Sequence, residues 1–226
     1  MRVLCCNPVF FEYRLPLYKE LERLFDGDFY VMYSPVRYKM CRKEVFCKQI
    51  KQELGSNAIE LRTDHLFDTN SMRWDEMPDI EKGKRIPLTW GLMRSIKNVK
   101  PEVLITVGYF QWTPMVLLYG LLHRVPVYME YERTCWTERN AGRLKIIQRK
   151  IFNRLFSGFL VNGSETKKYL QSLGVPEEKI KIGGMCAGDF NLNPNLNPNF
   201  GVGFGNGGEE RREGWSFLFT GAIEER

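Results

Sequence analysis

The stretch from residue 158 to residue 189 constrains the fold of this chain more than any other, because it predicts a strand, a helix and a second strand in close succession. The apolar run 159–161 ends in a polar Asn-Gly-Ser turn, which is typical of a buried strand. A helix is then predicted from Ser164, a residue suited to the N-cap, as far as Gly174. Residues 179–182 predict the second strand. A βαβ unit of this kind binds ligands at the carboxyl ends of its strands.

The same alternation continues through most of the chain. Further strands are predicted at 2–6, 29–33, 58–62, 103–107 and 125–131. Helices are predicted between them at 15–25, 88–99, 114–123 and 139–156. The pattern indicates an α/β fold, a Rossmann-like open and mostly parallel sheet with helices on both faces. Segment 34–87 predicts little beyond its one strand.

Right-handed crossovers bring the carboxyl ends of parallel strands to one edge of the sheet. We therefore expect a functional site where the loops of that edge meet. These loops are 7–14, 108–113, 130–134, 162–164 and 183–189.

The composition changes abruptly after residue 190. Residues 191–214 are rich in Asn, Pro and Gly, with too little apolar surface to offset the loss of chain entropy, which predicts a linker. Residues 215–226 return to an apolar strand pattern. The expected organisation is therefore a domain at 1–190, the linker, and the first strand of a second domain.

Several function classes are disfavoured by composition. No apolar run approaches the roughly 20 residues that span a bilayer, and the apolar start is too short for a signal peptide, so a cytoplasmic location is predicted. The six cysteines include no C-x-x-C pair, which favours reduced thiols. The two histidines lack partners at ligand spacing, so no metal site is predicted.

The net charge of +6 arises from one segment. Six basic residues and no acidic one lie in 139–156, and subtracting these six from the 33 basic residues leaves 27, the number of acidic residues. Leu144, Ile147, Ile151 and Leu155 recur there at helical spacing and form one apolar stripe.

Two interpretations of this basic helix remain open. In the first, the stripe packs on the sheet and the cationic remainder is solvated. In the second, the helix contacts anionic lipid head groups, and the membrane-facing residues are Arg143, Arg149, Lys150 and Arg154. Nucleic acid is not predicted as a partner, because no binding motif accompanies the charge.

An acidic pair ends the strand 125–131. Alternation along a strand places Glu130 and Glu132 on one side and Tyr131 on the other. A carboxylate at that end of a strand is suited to accept a hydrogen bond or a proton from a polyol. The alternative is an ion pair with Arg133 or with the basic helix.

Several segments resemble the N-terminal domain of glycosyltransferase family 4. They are VPVYMEYERT before the basic helix, GFLVNGSETKKYLQSLGVPEEKIKIGG after it, NPVFFEYRLPLYKEL and PEVLITVGYFQWTPMVLL in the first half, and SFLFTGAIEER at the end. The resemblance covers most of 1–190 except 34–87. It implies a GT-B architecture, in which one domain binds the acceptor and the other a nucleotide-activated sugar, and retaining transfer without a bound metal or other cofactor.

The resemblance also implies roles for particular residues. Glu132 is the catalytic candidate. Acceptor contacts are expected from Tyr13, Arg14, Tyr109 and Thr134. Gly221 matches a donor-binding glycine, but Ala222 stands where a phosphate-binding basic residue is common, and the glycine-rich first loop of many relatives is absent.

Two functional hypotheses follow. The first is the acceptor-side part of a retaining glycosyltransferase of the hexosyltransferase type. Its complete form is expected to act at the cytoplasmic face of a membrane on a glycan or lipid-linked acceptor, and the part alone is expected to be inactive without a donor domain. The second is a non-enzymatic, membrane-associated or subunit-type binding module that uses the basic helix 139–156.

Overall fold

The computed structural model describes residues 1–8, 14–35, 40–61, 66–67, 84–85, 89 and 91–183. Tyr13, Gly221, the predicted linker 191–214 and the predicted strand at 215–226 lie outside these residues.

Seven parallel strands form the main sheet, in the order β3-β2-β1-β6-β7-β8-β9. They are β1 Val3–Cys6, β2 Phe29–Tyr33, β3 Ala58–Glu60, β6 Val103–Val107, β7 Val127–Tyr131, β8 Gly158–Val161 and β9 Ile180–Ile182. A separate antiparallel pair consists of β4 Leu66–Phe67 and β5 Lys84–Arg85. The described helices are α1 Leu15–Leu24, α2 Met40–Leu54, α3 Leu92–Val99, α4 Thr113–His123, α5 Arg143–Asn153 and α6 Ser164–Ser172. The predicted fold class is confirmed.

The sheet separates two apolar cores. Along β1, Leu4 and Cys6 belong to the core shared with α3, α4 and α6, whereas Val3 and Cys5 belong to the core shared with α1 and α2. Both faces of this central strand are therefore buried, which is why its sequence is uniformly apolar rather than alternating.

Helix α2 was not predicted from the sequence. Of its described side chains, only Ile50 and Leu54 are buried, and Val45 is 61% exposed. Two apolar anchors four residues apart in a charged segment are a weak periodic signal.

Of the two predicted ends of helix α6, only the C-terminal end at Gly174 is confirmed, and the predicted N-cap Ser164 is wrong. Gly174 ends α6 with φ of 85°, a left-handed conformation that favours glycine. At the other end the N-cap is Gly163, and no side chain caps the helix. Asn162 instead accepts a hydrogen bond from the Thr166 hydroxyl, at 2.8 Å.

The orientation of helix α5 contradicts the first interpretation of the basic segment, in which the apolar stripe packs on the sheet. Leu144 is 84% exposed, and Ile147 and Ile151 are each 53% exposed, so the apolar stripe faces away from the sheet. The prediction that Arg149 faces a membrane is wrong: it is 3% exposed and points inward, beside the buried Asn153. The physical reason is a buried carboxylate partner and a layer of tyrosines, described next.

Candidate functional site

The carboxyl edge of the sheet carries the polar residues that the sequence predicted there. The chain leaves β6 through Gly108, whose φ of 59° favours glycine. The Gly108 amide donates to the Glu130 carbonyl at 2.8 Å, and the Thr113 hydroxyl donates to the Gly108 carbonyl at 2.8 Å. These bonds fix the end of β7 against the start of α4.

Arg14 joins the two carboxylates of the acidic pair. Its buried guanidinium donates through Nη1 to Glu130 Oε1 at 2.5 Å and through Nη2 to Glu132 Oε1. The prediction that Glu130 and Glu132 share one side of β7 is confirmed. The predicted ion-pair partners were wrong, because the partner described here is Arg14, and Arg133 pairs with Glu138 at 3.0 Å. We call these three residues the Arg14 cluster.

Within this cluster Glu132 is the residue open to ligand. Its side chain is 40% exposed, against 13% for Glu130. Burial raises the pKa of Glu132 above the usual range, the charge of Arg14 opposes that shift, and the neighbouring Glu130 adds to it. An accessible carboxylate with a raised pKa can accept a hydrogen bond or a proton from a hydroxyl group.

A second cluster lies between β7 and α5 around Arg149. The guanidinium donates through Nη2 to Glu138 Oε2 at 2.7 Å and through Nη1 to the Tyr169 hydroxyl at 2.6 Å. It also lies 5.1 Å from the ring centre of Tyr109, and the Tyr109 ring packs edge-on against Tyr131. We call these five residues the Arg149 cluster.

The electrostatics of the Arg149 cluster follow from its burial. Burial acts to raise the pKa of Glu138, but the hydrogen bond and charge of Arg149, helped by Arg133 and Lys145, outweigh it and hold the pKa below its usual range. Burial also raises the pKa of Tyr131. Glu138 and Arg149 therefore form a charged pair that neutralises itself inside the fold.

The other predicted acceptor residues are engaged elsewhere. Tyr109 belongs to the Arg149 cluster, and its hydroxyl donates a hydrogen bond to Asn153 Oδ1. Thr134 forms a local turn: its amide donates to the Thr137 hydroxyl at 2.9 Å, and that hydroxyl donates to the Thr134 carbonyl at 3.0 Å. The structure thus brings Arg14 and Glu132 into contact, and it gives Tyr109 and Thr134 partners of their own.

Sequence reasoning missed two residues near this edge. Glu138 was overlooked because it precedes the basic segment by one residue, although an acid beside six cations is a signal for an ion pair. Asn7 was taken only as the end of β1, yet it is buried and donates to the Tyr18 hydroxyl at 2.8 Å.

The described part of the chain contains neither a cluster of metal ligands nor a membrane-spanning helix. No three His, Cys, Asp or Glu side chains there lie together in a way that could hold a metal ion. None of its helices combines the length and apolar character needed to cross a membrane.

An open parallel sheet with its polar residues at the carboxyl edge is the arrangement of one half of a GT-B-like structure. Solved structures of two UDP-GlcNAc 2-epimerases are similar over 80% of this chain. The enzyme from Neisseria meningitidis bound to UDP-GlcNAc has a TM-score of 0.53 at 15% identity, and 46% of its length is covered. The enzyme from Methanocaldococcus jannaschii in complex with UDP-GlcNAc and UDP has a TM-score of 0.53 at 14% identity, with 46% covered.

At these identities the likeness shows the fold alone. No protein-family model and no curated protein sequence matches the chain. The comparisons therefore support a GT-B-like fold without identifying glycosyltransferase family 4 in particular.

Proposed function

We propose that this chain is the N-terminal, acceptor-side part of a sugar-nucleotide-dependent glycosyltransferase of the hexosyltransferase type. The observation that carries the proposal is the Arg14 cluster at the carboxyl edge of a parallel sheet, where open α/β folds bind their ligands. The similar structures contain UDP-GlcNAc or UDP, which supports a sugar-nucleotide substrate. This chain spans about half of their length, so the activity of a whole protein is part of the proposal.

In the proposed reaction, an acceptor hydroxyl attacks the anomeric carbon of the donor sugar from the face on which the nucleoside diphosphate leaves, so the new bond forms on the side where the old bond breaks. The hydroxyl proton passes to a carboxylate, and configuration is retained. Glu132 is proposed for this role, because its carboxylate is accessible and its raised pKa makes it a stronger base than an ordinary glutamate. The acceptor is a glycan or a lipid-linked saccharide. Tyr13, Tyr109 and Thr134 are proposed to line its site, and Gly221 to contact the donor.

Binding of saccharides tests this assignment without requiring turnover. The wild-type chain is screened against an array of neutral oligosaccharides, and the Glu132→Gln variant against the same array. We expect a subset of saccharides to bind the wild type and to lose at least about tenfold in affinity in the variant, since a hydrogen bond to a charged group contributes about 1.5–3 kcal/mol. The matched control is Glu178→Gln, an exposed glutamate outside the Arg14 cluster.

Three outcomes contradict the proposal. They are the absence of any bound saccharide, equal binding by Glu132→Gln, and an equal loss in Glu178→Gln. Sugar transfer from UDP-GlcNAc by the 226-residue chain alone would contradict its restriction to the acceptor side.

The second candidate is a non-enzymatic binding module. The outward apolar stripe of α5 favours it, because this surface lies apart from the Arg14 cluster and needs no substrate. A chain that binds no saccharide but still binds membranes supports this candidate over the first. The location proposed for both candidates is the cytoplasm, at the cytoplasmic face of a membrane.

A further inference from the structure

The outer surfaces of α4 and α5 are apolar where a solvated helix is polar. On α4, Leu118, Leu121 and Leu122 are between 50 and 65% exposed. On α5, the outward stripe of Leu144, Ile147 and Ile151 has the same character. Contiguous apolar patches on a protein surface usually mark an interaction site.

The two helices belong to one layer. Val116 and Leu117 of α4 lie in the core on one face of the sheet, and Ile146 and Phe152 of α5 pack against that same core. Their inner sides are therefore turned to one face of the sheet, and their outer sides are turned away from it.

The charged side chains on these two helices have one sign. Neither α4 nor α5 contains an acidic residue. The stripe on α5 is flanked by three exposed cations, Arg143, Lys150 and Arg154. A second copy of the chain would bring these cations against their own kind, whereas an anionic surface complements them.

The inner side of α5 explains why the stripe is free to face outward. Arg149 is the inward cation: it donates hydrogen bonds to Glu138 and Tyr169, and it lies over the Tyr109 ring. Because the buried side of the helix is anchored by this polar cluster, the leucine and the two isoleucines of the outer stripe are not needed for packing.

A tryptophan extends the surface toward the carboxyl edge. Trp136 is 64% exposed in the turn between β7 and α5, and the Arg139 guanidinium lies 5.7 Å from its ring centre. Tryptophan is enriched at the boundary between water and lipid, where an amphipathic ring is stable. Trp136 lies seven residues before Arg143, the first residue of α5.

We propose that the outer faces of α4 and α5, with Trp136, form a single surface that docks on an anionic lipid bilayer. The apolar residues enter the boundary between head groups and acyl chains, and the cations bind the head groups. The proposal deepens the second candidate function, because it rests on the same outward stripe of α5, and it does not depend on the first, because membrane binding requires no sugar.

Flotation with lipid vesicles tests the proposal. The full chain is mixed with vesicles of phosphatidylcholine alone, or of phosphatidylcholine with about 30% phosphatidylglycerol, which gives the vesicle a negative surface potential. We expect binding to the anionic vesicles, at least about tenfold weaker binding to the neutral ones, and loss of binding as salt rises from about 0.05 to 0.5 M.

Two sets of variants separate charge from apolar insertion. The charge set is Arg143→Glu, Lys150→Glu and Arg154→Glu together. We expect it to lower partitioning at least about 100-fold, since each cation near an anionic surface contributes about fivefold. The apolar sets are Leu144→Gln with Ile147→Gln and Ile151→Gln on α5, and Leu118→Gln with Leu121→Gln and Leu122→Gln on α4. Each apolar set is expected to lower partitioning at least about tenfold.

The matched controls lie on α2, which packs on the opposite face of the sheet. Val45→Gln removes an exposed apolar side chain there, and Lys48→Glu reverses an exposed charge. Both are expected to bind as the wild type does. Circular dichroism and thermal unfolding establish that each variant is folded, and the salt dependence of the wild type tests the charge contribution without any substitution.

Some outcomes overturn the proposal. Failure of the wild type to bind anionic vesicles overturns it. Binding that neither the charge set nor the apolar set on α5 weakens also overturns it. A dimer that the α5 sets dissociate would assign the surface to a second copy. Unchanged binding in the α4 set would overturn the two-helix surface.

Discussion

At the scale of single residues, Arg14 determines the electrostatics of the candidate site. Two carboxylates on one side of β7 repel each other, and the guanidinium between them offsets that repulsion with two charge-assisted hydrogen bonds. Because Arg14 is buried and Glu130 is largely buried, little solvent screening is available to replace this contact. Arg14 therefore positions Glu132, and its positive charge partly offsets the rise in the pKa of Glu132 that burial causes.

We expect Arg14→Gln to lower the free energy of unfolding by roughly 3–5 kcal/mol, the typical effect of breaking a buried ion pair by removing one partner. The pKa of Glu132 is expected to rise further, because the substitution removes the charge that lowers it. Urea denaturation measures the first effect, and carboxyl-carbon NMR titration measures the second.

Arg23→Gln is the control for Arg14, because it removes an exposed arginine of α1 that pairs with Glu20. Exposed pairs of this kind contribute little to stability. Equal destabilisation by the two substitutions would contradict the positioning role of Arg14.

The sequence predicted half of this site. The spacing of Glu130 and Glu132 was sufficient to place both carboxylates on one side, since strand alternation is a local rule. Their partner could not be predicted from spacing, because Arg14 is separated from Glu130 by 116 residues. Only the order of strands in the sheet brings the start of α1 beside the end of β7.

At the scale of elements, α5 shows what periodicity predicts and what it does not. The spacing of its leucine and isoleucines predicts that they share a face of the helix, but not which way that face turns. The opposite orientation is stable here because both Nη atoms of the inward Arg149 donate hydrogen bonds, one to Tyr169 and one to Glu138. A buried charge is tolerated when it is paired and hydrogen-bonded.

The packing of α4 on β7 provides a test at the same scale. A Cβ atom added at Gly120 would lie 2.3 Å from Val127 Cγ2 and 2.8 Å from the Val125 carbonyl oxygen. Gly120→Ala should gain about 1 kcal/mol from helix propensity. Overpacking against backbone is expected to cost more, so the net effect is a loss of about 1–2 kcal/mol in thermal or urea unfolding.

Leu118→Ala is the control in the same helix, because its side chain is half-exposed and makes no core contribution. It should change stability by less than about 0.5 kcal/mol. A Gly120→Ala variant that is more stable than the wild type would contradict the close packing of α4 on β7.

At the scale of the whole molecule, the alternation of strands and helices was sufficient to predict the fold class. From β6 to β9 one α-helix separates each pair of successive strands, so local patterns and right-handed connections determine the order of these elements. The same reasoning failed at α2, where too few apolar residues are buried to give a periodic signal. It also failed to find Glu138, whose role depends on the tertiary position of Arg149.

The pH dependence of stability follows from two carboxylates whose pKa values move in opposite directions. Glu138 has a lowered pKa in the folded state, so its stabilisation is present above the unfolded value, about 4.3, and is lost as pH falls through the folded pKa. Glu132 has a raised pKa, so its contribution declines as pH rises from about 4.3 through that raised pKa. Glu138 is expected to dominate in acid, because its side chain is 3% exposed and that of Glu132 is 40% exposed.

Glu138→Gln is therefore expected to destabilise the protein by roughly 3–5 kcal/mol at pH 7, since Arg149 stays buried without its carboxylate. The difference from wild type should narrow as pH falls from about 5 to 3, because the wild type then protonates the same side chain. Urea unfolding across this range measures the difference, with the exposed Glu178→Gln as control. A difference that stays constant down to about pH 3 would mean that the buried pair does not determine acid stability.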